Sequence, residues 1–382
     1  MMDFERARER FPILLDRTYL AASTLGPCPR EMLADFYAYG RTLRHRARCL
    51  PEWVDRWNEL RTYTETLLGA PAGSVFLCDT ATTAQATLAA SIEPVGSRCR
   101  IVISSADFHS ARYLWHARSR AGFEIVEIPT GVDGYIDIET WLGVLDERVR
   151  IVSFSLVSPR TGALLDAAAI CRAARRVNAV VVIDVYQALG IVPVRVHELG
   201  AHAIVGGFHK WMGGGGMGLA FGYIEPSLCD ELVPMYPGWL GHRQPFDVQH
   251  AFEPARDAQK FQRGAPAMEP IYTSRAGIRW VVDTGIDAIR ARSLLLTDRL
   301  IERARERDLV VTTPLARSRR GGMVCLDIRN ASTLATKLGV RGIDVDARPN
   351  AGLRIAPHPC IREDECDAVI DALCAEIRGV RV

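Results

Sequence analysis

The chain has 382 residues, 48% apolar and 24% charged, with 47 basic against 45 acidic side chains and a formal net charge of +2. That length suits two domains with a sizeable core, and so even a charge gives no electrostatic ground for a nucleic-acid partner. The N-terminal "MMDFERARERFPILL" is charged throughout and lacks the apolar centre of a signal peptide. No stretch reaches the roughly 18 apolar residues of a membrane span, so a cytoplasmic protein with no membrane partner is the expectation.

From about residue 53 the pattern alternates between helix and strand. "EWVDRWNELRTYTETLLG" sets Trp53, Trp57, Leu60 and Leu67 at helical spacing and stops at Gly69. Short apolar runs follow: "SVFL", "RIVIS", "FEIVEI", "RIVSFSLV", "AVVVIDV" and "AHAIVGG". Helical stretches separate most of them, at 110–121 and 164–178 for example. Alternation of this kind predicts an α/β fold with a mainly parallel sheet flanked by helices. Residues 234–270 break into an irregular Pro- and Gly-containing region, and a long helical section covers 271–307. "LVVTT", "GGMVCLDI" and "GLRIA" then read as strands and "DECDAVIDALCAEI" as a closing amphipathic helix, a smaller α+β unit. The expected division is 1–52 as an N-terminal arm and small-domain segment, 53–270 as the large domain, and 271–382 as interdomain helix and small C-terminal domain. Ten cysteines lack CxxC or metal-ligand spacing, and those in apolar runs, such as Cys78 and Cys325, read as buried hydrophobes.

Only three of the basic residues are lysines, and one of them, Lys210, stands in "GGFHKWMGGGGMG". A Walker-type phosphate loop needs its lysine after the glycines and before Ser or Thr, an order this stretch reverses. A surface lysine beside a flexible turn is the plainest reading. The third is an amine that condenses with an aldehyde, with glycines letting backbone pass close to a bulky cofactor. Upstream residues favour the third. "AVVVIDVYQALG" ends a predicted strand in Asp184, where α/β sheets bind ligands, and an anion there can keep a pyridine nitrogen protonated. Gln187 follows it. "CDTATTAQATLAASI" opens a helix with Thr82 and Thr83, hydroxyls and free amides suited to a phosphate and equally to a cap. Phe108 follows another strand, where its ring could stack on a flat cofactor or simply join the core.

Together these residues resemble the class V aminotransferase group of fold-type I pyridoxal-phosphate enzymes, from "YLAASTLGPCP" almost to the C-terminus. The segments "PGWLGHRQPFDV", "KFQRGAPAMEPIYTSRAGIRWVVDTGIDAIRARSLLLTDRLIE" and "GIDVDARPNAGLRIAPHPC" look most like kynureninase. The resemblance implies a seven-stranded sheet, pyridoxal 5'-phosphate as cofactor, a small amino-acid substrate and a homodimer. Lys210 would carry the cofactor and move protons, Asp184 would pair with its pyridine nitrogen, and Gln187 would lie near its ring oxygen. Thr82, Thr83, Ser155 and His209 would surround the phosphate or ring, Phe108 would stack, and Trp239 would reach the phosphate region, with a second subunit as one source. Arg354 would hold the substrate carboxylate. The implied reaction is kynureninase-type hydrolysis of a Cβ–Cγ bond in a specialised substrate, with C–S β-lyase and aminotransferase as alternatives. A non-catalytic relative is the rival from another class. Gln187, His209, Ala265 and Ala111 stand where kynureninases usually carry His, Tyr, Asn or Thr, and Asp. A desulfurase would need a mobile cysteine ahead of the arginine segment, which "VRGIDVDARPNAG" lacks.

Overall fold

The computed structural model describes residues 3–247, 251–349 and 351–379. Its strands run β1 (Thr18–Tyr19), β2 (Val75–Cys78), β3 (Arg100–Ser104), β4 (Glu124–Ile128), β5 (Val149–Ser155) and β6 (Val180–Asp184). They continue as β7 (Ala203–Gly207), β8 (Ala220–Ile224), β9 (Val324–Leu326), β10 (Ile343–Asp344), β11 (Asp346–Arg348) and β12 (Gly352–Ile355). A seven-stranded sheet takes the order β4-β3-β5-β6-β7-β8-β2. Its first five strands are mutually parallel, while β8 is antiparallel to both neighbours. Because β8 reverses direction twice over, β2 points the same way as β7, so the residues after β2, β3, β5, β6 and β7 all emerge at one edge.

The parallel strands are apolar without a break because both faces are covered. Val102, Val152, Val181, Ile183 and Ile204 belong to one buried cluster, and Ile101, Ile103, Ile151, Val182 and Val205 to a second on the opposite face. Adjacent residues alternate between the two, as the two-residue period of a strand requires. Each fully buried Val, Ile or Leu stabilises the fold by about 1.5–3 kcal/mol relative to exposure.

Two elements differ from the sequence expectation. β8 was not anticipated, since Gly222 interrupts a short run that follows four glycines; packing against Phe76, whose ring occupies the space beside Gly222, makes it a strand. "LVVTT" forms no ladder of its own: Val311 makes an isolated bridge to Leu326. The predicted helical section divides at Gly285 into Met268–Thr284 and Ile286–Glu306. The boundaries read at 52/53 and 270/271 fall inside the helices Leu50–Leu68 and Met268–Thr284.

The two chain ends share the smaller α+β part. β1 pairs in parallel with β10, and Ala21 bridges Ala356. β11, β12 and β9 form an antiparallel sheet in which Asp346 stands directly opposite Arg354. Between these contacts the N-terminal segment crosses the Lys210 loop. The Gly26 amide donates to the His209 carbonyl at 2.8 Å, and a Cβ on Gly26 would lie 1.7 Å from the Lys210 carbonyl oxygen. On the other side a Cβ on Gly277 would lie 1.7 Å from the Met212 carbonyl. Glycine at these two positions lets three stretches of backbone touch, which fixes where the lysine stands.

Candidate active site

At the carboxyl edge of the sheet lies a cavity of about 250 Å³ whose wall includes Thr82, Phe108, Ser155, Asp184, Gln187, His209 and Lys210. Seven residues expected to act together, spread over more than a hundred positions of sequence, thus share one wall. Ser155 closes β5, Asp184 closes β6, and the two are register partners. Phe108 precedes the helix His109–Ala117, and Lys210 stands three residues beyond the end of β7 and opens the turn closed by the Gly213 amide. Thr82 opens the helix Ala81–Ala90, whose cap is Thr80: its hydroxyl accepts from the Thr83 amide at 3.0 Å. The Thr83 hydroxyl turns to that of Thr80, 2.8 Å away, and is not part of the wall.

Burial sets the electrostatics. It lowers the Lys210 amine to about 8, with Asp184 pulling upward against it and Arg354 and Arg348 pushing further down. The same desolvation raises Asp184, opposed by the Tyr186 amide, which donates to it at 2.8 Å, and by Lys210. His209 is pushed down to about 4 by burial and by the neighbouring Lys210, so it is neutral at physiological pH. A lysine amine near neutrality beside a carboxylate at a strand end is an arrangement able to attack carbonyl carbon and exchange protons.

Arg354 is buried just outside the cavity wall and is held by Asp346, Pro159 and Thr24. Trp239 stands apart from the cavity within this chain. It is 47% exposed, its ring 5.6 Å from that of Phe246. Ala111 lines the main cavity, and Ala265 a neighbouring one with Arg263.

Two residues escaped the sequence reading. Tyr186 lines the cavity, its hydroxyl 3.0 Å from His209 Nδ1, and the Lys210 amine lies 4.5 Å from its ring centre. Its place between Asp184 and Gln187 was the available signal. Asp107, buried although its neighbour Phe108 is exposed, accepts from the Ser155 amide at 2.6 Å and the Ser104 amide at 3.2 Å. Burial outweighs those bonds and raises it to about 7, with Asp184 adding to the rise. An aspartate next to a serine-rich turn carries no mark of that burial in sequence.

Known proteins bear on this geometry. The kynureninase of Deinococcus radiodurans is 29% identical over 92% of this chain and 88% of its own length. The uncharacterized aminotransferase YcbU of Bacillus subtilis is 26% identical over 97% of this chain and 98% of its own. Among solved structures, a cysteine desulfurase from Thermococcus onnurineus superposes with a TM-score of 0.89 at 18% identity, covering 99% of both chains. The cystine C–S lyase C-DES gives 0.86 at 18% identity, over 95% of this chain and 99% of its own. At such identities these structures speak for the fold, and the expected fold-type I architecture is theirs as well. The family model for class V aminotransferases matches residues 20–370, from the segment that crosses the lysine loop to the last helix, and the chain belongs to that family.

Proposed function

We propose that this protein is a pyridoxal-phosphate-dependent enzyme acting on a small L-α-amino acid, with Lys210 as the residue that carries the cofactor. The observation behind this reading is the Lys210 amine, lowered to about 8, sharing a cavity with Asp184 at the carboxyl edge of a parallel sheet. The wall suits that cofactor. The Gln187 side-chain oxygen is buried without a partner while its amide nitrogen donates to the Ser23 carbonyl at 3.0 Å. The helix starting at Ala81 offers Thr82 and unpaired amides to an anion.

When bound, pyridoxal phosphate supplies an aldehyde that condenses with amines and a ring that takes up electron density. Lys210 would hold that aldehyde at rest and, once free, remove the substrate's α-proton with Nζ. Asp184 would keep a proton on the pyridine nitrogen, and Gln187 would bond the ring oxygen. Thr82, Ser155 and His209 would surround the phosphate and ring, with Phe108 stacked on the ring's face. Arg354 would hold the substrate carboxylate through its planar fork.

The reaction we favour is hydrolysis of a Cβ–Cγ bond next to a γ-carbonyl, supported by the likeness to kynureninases across 92% of the chain. A second reading, transamination, draws on His209 and Gln187, which depart from the kynureninase pattern, and on the likeness to YcbU. Purified protein is expected to be yellow, and borohydride to fix the cofactor on Lys210, read by peptide mass. Protein that stays colourless with added pyridoxal phosphate overturns the enzyme reading. Incubation with kynurenine should release anthranilate and alanine; keto acid from common amino acids without anthranilate selects transamination instead, and pyruvate from cysteine conjugates selects C–S lysis.

A homodimer completes the proposal. Val233, Met235, Tyr236, Trp239 and Phe246 expose apolar surface within one irregular segment, the kind of patch that a partner covers. Light scattering should return twice the chain mass of 42.2 kDa.

A further inference from the structure

The arginine assigned to the substrate carboxylate already holds a carboxylate. Arg354 Nε donates to Asp346 Oδ2 at 2.7 Å, and Nη2 donates to the same oxygen. Nη2 also donates to Thr24 Oγ1 at 3.1 Å, and Nη1 to the Pro159 carbonyl at 2.6 Å. Four of the five N–H groups of a guanidinium are thereby committed. A second carboxylate cannot be gripped through two parallel bonds, the geometry for which arginine is suited, unless one of these partners leaves.

Of the three, Asp346 is the partner able to leave. Pro159 offers a fixed backbone carbonyl and Thr24 a neutral hydroxyl, whereas Asp346 is a carboxylate with a second cation within reach. Arg348 Nε lies 3.2 Å from the same Oδ2. Asp346 and Arg348 are two apart on β11 and so project from one face of the strand. Arg348 is exposed and borders a cavity of about 670 Å³, which leaves room for the released pair to move. The pairing of Asp346 with Arg354 is itself a matter of backbone register, because the two stand directly opposite in the β11–β12 ladder. The acid is built against the arginine by the hairpin and is no chance rotamer.

We propose that Asp346 is a positioning and specificity-determining residue, an internal carboxylate that an incoming substrate carboxylate displaces from Arg354 while Arg348 takes it over. This rests on Arg354 being the substrate-carboxylate arginine. The exchange keeps Arg354 paired and aimed when the site is empty, and it selects ligands whose carboxylate outcompetes a tethered one. It also leaves each arginine with a carboxylate of its own: before binding Asp346 is shared by Arg354 and Arg348, and afterwards the substrate carboxylate lies on Arg354 and Asp346 on Arg348. Both arginines and Asp346 act on the Lys210 amine, so an unbalanced change among them would alter its protonation.

The test uses acetate, the simplest carboxylate, as probe. Phenylglyoxal reacts slowly with the buried Arg354, each time its partners open, and acetate bound there should slow it further; peptide mass spectrometry of the full-length cofactor-loaded protein reads the rate of modification. In Asp346→Asn the acetate concentration giving half-protection should fall about tenfold, the scale of one charge-assisted hydrogen-bond partner. In Arg348→Gln, a change at an exposed position, it should rise several-fold, because the displaced acid has lost the cation that donates to it. A midpoint unchanged within about twofold in either variant overturns the exchange, as does protection that is absent in all three proteins. Failure of the cofactor reading would show separately, as colourless protein without borohydride-fixed Lys210.

Discussion

An amine lowered to about 8 is half free at a pH where an ordinary lysine is almost wholly charged, and that difference is measurable residue by residue. In cofactor-free protein, reductive methylation of Lys210 should rise with pH through a midpoint near 8, well below the ordinary value of 10.5. Asp184 favours the charged amine, so Asp184→Asn should move that midpoint lower still. A wild-type midpoint near 10.5 would place Lys210 in open solvent and remove the argument built on it. Tyr186→Phe deletes the hydroxyl that meets His209 and should cost about 1 kcal/mol of stability, read as a lowered Tm in denaturant-matched melts. At this scale the sequence was informative where residue type and strand end coincide, as at Asp184 and Lys210. It was silent at Asp107 and Tyr186, whose significance comes from burial and from partners contributed by other strands.

The elements carry the site by backbone contact. The Lys210 loop is pressed between the segment around Gly26 and the helix Met268–Thr284, and neither contact tolerates a side chain. Gly26→Ala would bring a methyl group against the Lys210 carbonyl, an atom that cannot rotate aside as a flexible side chain could. The expected result is a loss of about 1–3 kcal/mol and weakened retention of the cofactor, seen as a lower Tm and a faded visible band. A fully loaded, equally stable variant would show that the N-terminal segment does not set the lysine's position. Most elements of the large sheet were legible beforehand, because strands buried on both faces read as unbroken apolar runs. β8 was missed because its apolar run is broken by a glycine that makes room for the Phe76 ring. "LVVTT" was over-read because apolar composition alone does not supply a neighbour to pair with.

Across the whole molecule, the two chain ends meet around His358, which is buried between Phe11 and Trp280 with ring centres 4.5 and 4.9 Å away. Burial pushes this histidine down to about 3 from an ordinary 6.5. The unfolded chain therefore binds a proton between those values that the folded chain refuses, and stability falls as pH drops through the window. The loss from this group approaches about 1.4 kcal/mol per pH unit within it. His358→Gln removes the contribution, so the wild-type Tm should fall more steeply than the variant's from pH 7 to 4. Parallel curves would acquit His358. The sequence by itself determined the α/β class, the order of the parallel strands along the chain, the family resemblance and the lysine–aspartate pair, because periodicity and strand-end residue type are local properties. Only the tertiary structure decided that Thr83 turns away to its own cap, that Trp239 stands outside the cavity of its own chain, and that Asp346 occupies Arg354. Those outcomes depend on register and packing between segments far apart in sequence, and no local pattern encodes which backbone stretch will lie beside which.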